Sequence, residues 1–237
     1  MTADVRFWFD PVCPFAWLTS EWVREVQRQR DLAVEWRFIS LRLLNKDVDY
    51  DAQFPPDYEA GHTAGLRLLR VCAQVRDDHG PDAVARLYEA LGRRIHDAEP
   101  TDREVRGTAA FLEPVLEEVG LPAALVGALD DAGRDAQLQA ETDEALAITG
   151  KDVGTPIIAV ADGPGFFGPV ISRLPAPEDA ARLWDHVVGL ASFPGFAELK
   201  RSLRERPQLR SFGVEPAAAA PEVVEEDWHG GSRRQHR

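Results

Sequence analysis

The sequence predicts a mixed α/β fold in which a block of helices interrupts a small β-sheet. Three observations support this prediction. Short β-branched and aromatic runs lie at the start of the chain, similar runs return near residue 157, and the roughly ninety residues between them carry only helical periodicity. Strands and helices in this order are typical of domains that pack helices against a sheet.

The beginning of the chain predicts a parallel βαβ unit. Residues 5–9 form a short apolar and aromatic strand, which Asp10-Pro11 ends. Pro14 favours the first turn of a helix that continues to about Arg30. Residues 32–39 then alternate apolar with charged side chains, as a second strand does. Two strands joined by such a helix are usually parallel.

The middle of the chain predicts helices. Residues 41–56 are expected to be a loop, which Pro55-Pro56 closes, and residues 57–150 about four or five helices. Thr101 to Glu104 has the form of a capping box. The breaks between the helices fall at Gly80-Pro81, Glu99-Pro100, Gly120-Leu121-Pro122 and Gly133.

Strand character returns at residues 157–160, and a turn at 162–165 joins this strand to Phe166-Phe167 as a hairpin. Helices are expected at residues 177–190 and 196–204. The whole order is that of a thioredoxin-like fold with an all-helical domain inserted between its βαβ and ββα halves. The expected divisions are an N-terminal half, the insertion, a C-terminal half and a disordered tail, at residues 1–56, 57–150, 151–205 and 206–237.

The composition excludes several classes of partner. The chain has 237 residues and a net charge of -13, which argues against nucleic-acid phosphates and anionic membrane surfaces. It contains no apolar run of the ~20 residues that a membrane span needs, and its first residues do not form a secretory signal. Two cysteines are too few for a disulfide framework, and no spacing of His with carboxylates indicates a metal. A cytoplasmic protein with small-molecule partners is expected, and a homo-oligomer is compatible with the sequence.

Cys13 is the main candidate for a catalytic residue. It lies between a predicted strand and a helix that begins at Pro14, so its sulfur would face the unpaired N–H groups and the positive dipole end of that helix. Thiols at such positions can have pKa values of roughly 3.5–7.5. A reactive thiolate is therefore expected, with a buried structural cysteine as the alternative. Cys72 lies on an apolar helical face, where packing is the expected role and a resolving thiol the alternative.

The run Cys13-Pro14-Phe15-Ala16 has the outline of a redox Cys-x-x-Cys motif whose second cysteine is replaced by Ala16. A dithiol site attacks a disulfide and then resolves the mixed disulfide with its own second thiol. This chain can take only the first of these steps. An external thiol must complete the reaction, or the chemistry does not pass through an internal disulfide.

Thr155-Pro156, just before the returning strand, is the second candidate segment. An X–Pro bond there could be cis, and the neighbouring backbone could pair with an extended thiol ligand. Thr155, Pro156, Pro14 and Phe15 are therefore expected to bind the thiol and substrate. A substrate pocket is expected beside the insertion. Candidates to line it are His96, Trp17 and His62.

Several blocks of the chain resemble known thiol-dependent proteins. The overall arrangement is similar to the DsbA-like branch of the thioredoxin superfamily. Residues 7–11, 153–156, 166–170 and 196–201 resemble the actinobacterial mycothiol-dependent nitroreductase family. The similarity extends from about residue 5 to about residue 205. It implies a thioredoxin fold with a helical lid, a nucleophilic Cys13, a cis Pro156 and mycothiol as the low-molecular-weight thiol.

The chain departs from this family at one motif. The family usually carries Cys-Pro-Trp-Cys, whereas this chain has Phe15 and Ala16. Cys-Pro-Phe-Ala also resembles the Ser-Pro-Tyr-Ala motif of kappa-class glutathione transferases and hydroxychromene-carboxylate isomerases, with Cys13 in place of Ser. Those enzymes hold a thiol cofactor without cycling a disulfide.

Three functional hypotheses follow. The first is a thiol-dependent oxidoreductase that acts through Cys13, has no tightly bound cofactor, and uses mycothiol or glutathione as cosubstrate. The second is a kappa-like transferase or isomerase in which Cys13 positions a bound thiol. The third is a non-catalytic thioredoxin-fold module that binds a partner.

Overall fold

A computed structural model of the chain describes residues 3–150, 153–160, 163, 165–201 and 205–214. In this part of the chain, four strands form one sheet in the order β2, β1, β3, β4. β1 and β2 are parallel, whereas β3 is antiparallel to both β1 and β4. The expected βαβ unit and hairpin pairing are therefore confirmed. The strands are β1 (Val5–Phe9), β2 (Val34–Phe38), β3 (Ile157–Val160) and β4 (Gly165–Phe167).

Helix α1 (Pro14–Gln29) connects β1 to β2 and packs against α8 (Pro177–Ala191). Trp22 of α1 lies at this contact. Its indole N–H donates to the carbonyl oxygen of Ala180 at 3.0 Å, and its ring lies 5.5 Å from that of Trp184. Trp22 thus joins α1 to α8.

The inserted helices cover both faces of the sheet. Alternate residues of β1 point to opposite faces, and Phe9 stacks on Tyr88 of α5 (Pro81–Gly92) with ring centroids 3.7 Å apart. On the other face, Trp8 joins Ile157 and Ala145 in a separate core cluster. Ala145 belongs to α7 (Asp135–Thr149), so α5 and α7 of the insertion pack on opposite faces of the sheet.

The expected helical block contains four α-helices. The longest of them ends at Gly80, whose φ is 83°. None of the helices in the described part of the chain combines the length and apolar character that a membrane crossing requires. The remaining α-helices are α4 (Tyr58–His79) and α6 (Ala109–Glu118), with a π-helical turn at Arg93–Asp97 and 3-10 turns at Val105–Gly107, Ala123–Asp130 and Ala132–Arg134.

The loop expected at residues 41–56 contains two short helices, α2 (Leu41–Leu44) and α3 (Tyr50–Gln53). The side chains of Ser40 and Asp49 accept from backbone N–H groups and cap their first turns. The capping box expected at Thr101 begins no helix. Thr108 caps α6 instead, and accepts from the N–H of Phe111.

The expected helix at residues 196–204 is wrong for residues 196–201, which follow a positive φ of 86° at Gly195 and leave Leu199 exposed, so no apolar face is buried there. Residues 202–204 lie outside the described residues. The expected tail begins with ordered chain, because Leu209 is buried and a 3-10 turn covers Arg210–Phe212. Residues 215–237 of the tail lie outside the described residues.

Candidate active site around Cys13

Cys13 is the N-cap of α1, as the strand–Cys–Pro–helix pattern predicts. Its φ and ψ are extended at -83° and 114°, and Pro14 occupies the first helical position. The Sγ atom accepts from the backbone N–H of Ala16 at 3.5 Å. One of the N–H groups that the first turn leaves unpaired is therefore directed at the sulfur.

The second candidate segment meets Cys13 across the fold. The Cys13 thiol donates to the carbonyl oxygen of Thr155 at a Sγ–O distance of 3.4 Å. The Thr155–Pro156 peptide bond is cis, and the Thr155 hydroxyl donates to the carbonyl oxygen of Trp8 in β1 at 2.9 Å. Residues 142 positions apart are thus brought together by the pairing of β1 with β3.

The expected low pKa of Cys13 is wrong for this closed arrangement. The residue is only 7% exposed. Burial raises the pKa of its thiol to about 12, although the Ala16 N–H lowers it, and the carboxylate of Asp10 raises it further. The thiol is therefore neutral here, because the loss of hydration outweighs the helix terminus. Burial likewise raises the pKa of Cys72 to about 12, so the two thiols do not differ in the way the sequence predicts.

Asp10 is a site residue that the sequence reasoning missed. Its side chain is fully buried, and it accepts from the N–H groups of Val12 at 3.1 Å and Leu41 at 2.8 Å. Burial raises its pKa to about 7 despite these two hydrogen bonds. A carboxyl placed directly after a buried strand and three residues before the candidate cysteine is the signal that could have identified it.

Trp17 and His96 do not line an open pocket, because each is only 1% exposed. The Trp17 indole N–H donates to Asp97 at 3.0 Å, and the ring stacks on that of His96. His96 donates from Nε2 to the carbonyl oxygen of Pro11 at 2.9 Å. Burial lowers the pKa of His96 to about 3, so the ring is neutral. His96 therefore holds the loop before Cys13, and Trp17 packs against His96.

Pro14 and Phe15 are partly exposed beside the buried sulfur, where an approaching ligand would meet them. His62 lies on α4 and is only 8% exposed. Its Nδ1 atom forms a hydrogen bond with the Tyr50 hydroxyl at 2.9 Å, within a group of aromatic rings. Cys72 is in the core of α4. No group of three or more metal-binding side chains occurs among the residues that the structure describes.

A surface cleft of about 490 Å³ lies at the C-terminal end of α4 and contains none of the sequence-predicted site residues. It is lined by Gln74, Asp78, His79, Pro122 and Asp131, among others. Cys13 and Thr155 are instead in direct contact, and both are largely buried.

Comparison with known proteins agrees with this architecture. Residues 12–201 match the family described as Rv2466c-like, mycothiol-dependent nitroreductase Rv2466c, and this range includes every site residue predicted from the sequence. The uncharacterized protein Rv2286c of Mycobacterium tuberculosis is 34% identical over 200 residues, which are 83% of this chain and 81% of that protein.

Two solved structures are similar at low sequence identity. A candidate protein disulfide isomerase from Nitrosomonas europaea has a TM-score of 0.52 at 13% identity, over 78% of this chain and 98% of that one. DsbA of Chlamydia trachomatis has a TM-score of 0.48 at 14% identity, over 81% and 88%. The strand order, the inserted helices and the likeness to the Nitrosomonas europaea structure show a thioredoxin-like fold with a helical insertion, and the chain belongs to the mycothiol-dependent nitroreductase family.

Proposed function

We propose that the protein is an oxidoreductase that acts through one thiol, that of Cys13, and uses a low-molecular-weight thiol such as mycothiol as cosubstrate. One observation carries the proposal: Cys13 Sγ lies between the N–H of Ala16 and the carbonyl of Thr155, in a chain of the mycothiol-dependent family. The N–H group stabilises a sulfur anion, and the carbonyl belongs to backbone with which an extended ligand could pair. A cytoplasmic location and a small-molecule substrate are parts of the same proposal.

The reaction needs one thiolate from the protein and one from solution. The Cys13 thiol loses its proton, and its sulfur attacks one sulfur of a disulfide. A mixed disulfide to Cys13 forms, the original S–S bond breaks, and the other half leaves as a thiolate. Ala16 offers no second sulfur. A mycothiol thiolate must therefore attack the mixed disulfide, which restores Cys13 and releases a disulfide of mycothiol.

Ligand entry would also activate the sulfur. In the closed arrangement the thiol proton is held by the Thr155 carbonyl. A ligand N–H that takes this carbonyl would release Cys13 toward water. Since burial is the main cause of its raised pKa, hydration would lower the pKa and let the Ala16 N–H favour the thiolate.

The experiment is intact mass spectrometry after incubation with oxidised mycothiol and, separately, oxidised glutathione. We expect one adduct of the respective thiol on the wild-type chain and on Cys72→Ala, and none on Cys13→Ser. Adducts on Cys13→Ser, or no adduct on any chain, would show that the proposed chemistry is wrong. Thermal unfolding of each variant confirms that the comparison is made between folded proteins.

A second candidate function is supported by the same contacts. A neutral Cys13 that donates to one backbone group and accepts from another behaves as a serine hydroxyl would, which suits a kappa-like transferase that only positions a bound thiol. Conjugation of 1-chloro-2,4-dinitrobenzene to mycothiol tests this reading. If Cys13→Ser keeps this activity, Cys13 positions the thiol; if the variant loses it, the nucleophilic role is favoured.

A further inference from the structure

Two arginines on the segment before α6 lack a carboxylate partner. Arg103 and Arg106 are partly buried, and neither forms an ion pair with any residue that the structure describes. Arg106 donates from Nη2 to the carbonyl oxygen of Thr101 at 3.3 Å, whereas its buried Nε has no acceptor. A buried donor without an acceptor is costly. The Nε atoms of four other arginines also lack an acceptor, but each of those side chains pairs with a carboxylate: Arg24, Arg37, Arg67 and Arg134.

This pair is an exception within the protein. Asp102 and Glu104 adjoin Arg103 in sequence, but both are exposed and pair with neither arginine. In a chain with a net charge of -13, acidic partners are not scarce. The other partly buried arginines in the described ranges all contact a carboxylate: Arg6, Arg24, Arg37, Arg42, Arg67, Arg70, Arg76, Arg134 and Arg173.

Small residues of α4 bring the arginine pair close to the Cys13 loop. A Cβ atom at Gly61 would lie 3.1 Å from Cδ of Arg103, and a Cβ atom at Gly65 would lie 2.8 Å from the Val12 side chain. Residues four apart lie on the same face of a helix. The segment that carries Arg103 and the loop that carries Cys13 therefore pack on neighbouring turns of one helical face.

Two side chains connect the pair to the site. The Arg103 guanidinium carbon lies 4.2 Å from the ring centroid of Tyr58. Burial raises the pKa of Tyr58, whereas the charge of Arg103 and its hydrogen bond to the phenol lower it, so Arg103 has a neutral partner but no carboxylate. His96, which holds the Pro11 carbonyl, is within electrostatic range of Arg106, whose charge adds to the effect of burial in lowering the His96 pKa.

We propose that Arg103 and Arg106 bind a carboxylate of the substrate that reacts at Cys13, so that this substrate is an anion. The inference rests on the proposed function, because it assumes that a substrate reaches Cys13. The planar guanidinium groups match the geometry of a carboxylate. Burial and the neighbouring Arg103 lower the pKa of Arg106 to about 10, which leaves it cationic at neutral pH.

The test compares two disulfide reagents of different charge. 5,5′-Dithiobis(2-nitrobenzoate) carries a carboxylate on each ring, whereas 2,2′-dithiodipyridine carries none. In both reactions the Cys13 thiol gives its proton to the buffer, its sulfur attacks the reagent, the reagent's S–S bond breaks, and a coloured thiolate or thione leaves. Rates are measured on a Cys72→Ala background at low ionic strength, so that only Cys13 reports.

The informative variant is Arg103→Gln combined with Arg106→Gln. We expect its rate with the anionic reagent to fall about tenfold or more, and its rate with the neutral reagent to change by less than about twofold. The matched control is Arg86→Gln with Arg94→Gln, which removes the same charge from two exposed arginines. It should leave both rates within about twofold. Equal slowing with both reagents, or no slowing with the anionic one, would overturn the proposal.

A direct titration separates this inference from the proposed function. If neither reagent labels Cys13 in the wild-type chain, the proposed function fails. The anion site is then judged by titrating Cys13→Ser with 2-nitrobenzoate and following tryptophan fluorescence. Binding that weakens about tenfold in the double arginine variant supports the site, whereas equal or absent binding in both proteins rejects it.

Discussion

Ala16 occupies the position where a dithiol site would carry its second sulfur. Its N–H lies 3.5 Å from Cys13 Sγ, and its side chain is fully buried in the first turn of α1. We expect Ala16→Cys to form a disulfide with Cys13 and to gain insulin-reducing activity, because thiol exchange needs a neighbouring thiol. The structural cost should be well under ~1 kcal/mol, since both residues are small.

Free thiols are counted after equilibration in a glutathione redox buffer, with Ala16→Ser as the control of similar size and no sulfur. If the variant stays fully reduced while the control behaves as the wild type, the two side chains are not adjacent. In the kappa-like alternative, the oxidised variant would instead lose its thiol-conjugating activity, because Cys13 would no longer be free.

The buried carboxyl of Asp10 should make stability depend on pH. Burial raises its pKa from 3.8 to about 7 in the folded state, so the folded chain holds a proton that the unfolded chain releases. This contribution is fully present below pH 3.8 and is lost as the pH rises through about 7. Its size is on the order of a few kcal/mol.

Urea unfolding of the wild type and of Asp10→Asn between pH 4 and 8 checks this expectation. The asparagine does not titrate, so the stability of the wild type relative to the variant should fall across this range. A constant difference from pH 5 to pH 8 would contradict the raised pKa.

At the residue scale, the sequence predicted which residues come into contact better than it predicted how deeply they are buried. The meeting of Cys13 with Thr155 followed from strand order, because both precede or follow strands that pair. The burial of Cys13, Trp17 and His96 did not follow, since it depends on which helices cover the loop. Arg103 and Arg106 were not predicted, because a lack of nearby carboxylates cannot be seen in a linear chain.

Helix α4 packs directly against the loop that precedes Cys13. Gly65 has no side chain, and a Cβ atom there would lie 2.5 Å from Asp10 Oδ1 and 2.8 Å from Val12. We expect Gly65→Ala to lower the free energy of unfolding by roughly 1–3 kcal/mol through overpacking, in spite of the better helix propensity of Ala. The displaced loop should also make Cys13 more accessible to alkylation.

Gly127→Ala is the matched control, because Gly127 is exposed and a Cβ atom there would meet nothing within 4 Å. It should leave stability and the Cys13 alkylation rate nearly unchanged. Chemical unfolding and iodoacetamide labelling of the three proteins provide the measurements. A neutral Gly65→Ala would mean that the loop and α4 are not in close contact.

At the scale of elements, periodicity predicted the strands and the long helices. β1 and α1 agree with expectation to within a residue, because their apolar spacing and the Pro14 start signal are local. The short helices at residues 41–53 were missed, since each has a single turn and depends on one capping side chain. Residues 196–201 show the converse: an apparent helical pattern forms no helix, and Leu199 stays exposed among the described residues.

At the scale of the whole molecule, a buried carboxylate ties the insertion to the sheet. Glu141 of α7 accepts from the Phe38 N–H of β2 at 3.2 Å and contacts Arg37 Nε at 3.3 Å. Its two oxygens also pair with the guanidinium of Arg76, which projects from α4. One side chain thus joins both ends of the helical insertion to the N-terminal half of the fold.

Removing this charge should weaken the whole chain. Glu141→Gln keeps the size of the side chain but leaves Arg76 without its carboxylate, whereas Arg37 keeps Glu35 and Glu144. We expect a loss of about 2–4 kcal/mol, because breaking a buried pair leaves uncompensated charge. The control is Arg28→Gln, which removes an exposed pair with Glu25 on α1 and should cost less than ~1 kcal/mol. Urea unfolding followed by tryptophan fluorescence and by far-ultraviolet circular dichroism gives both values.

The two probes should keep a common midpoint if the insertion and the sheet unfold together. If the midpoints separate in Glu141→Gln, with the helices lost before the tryptophan core, this contact is what makes the two parts one cooperative unit. If the free energy of unfolding falls by as little as in the control, Glu141 does not join the two parts.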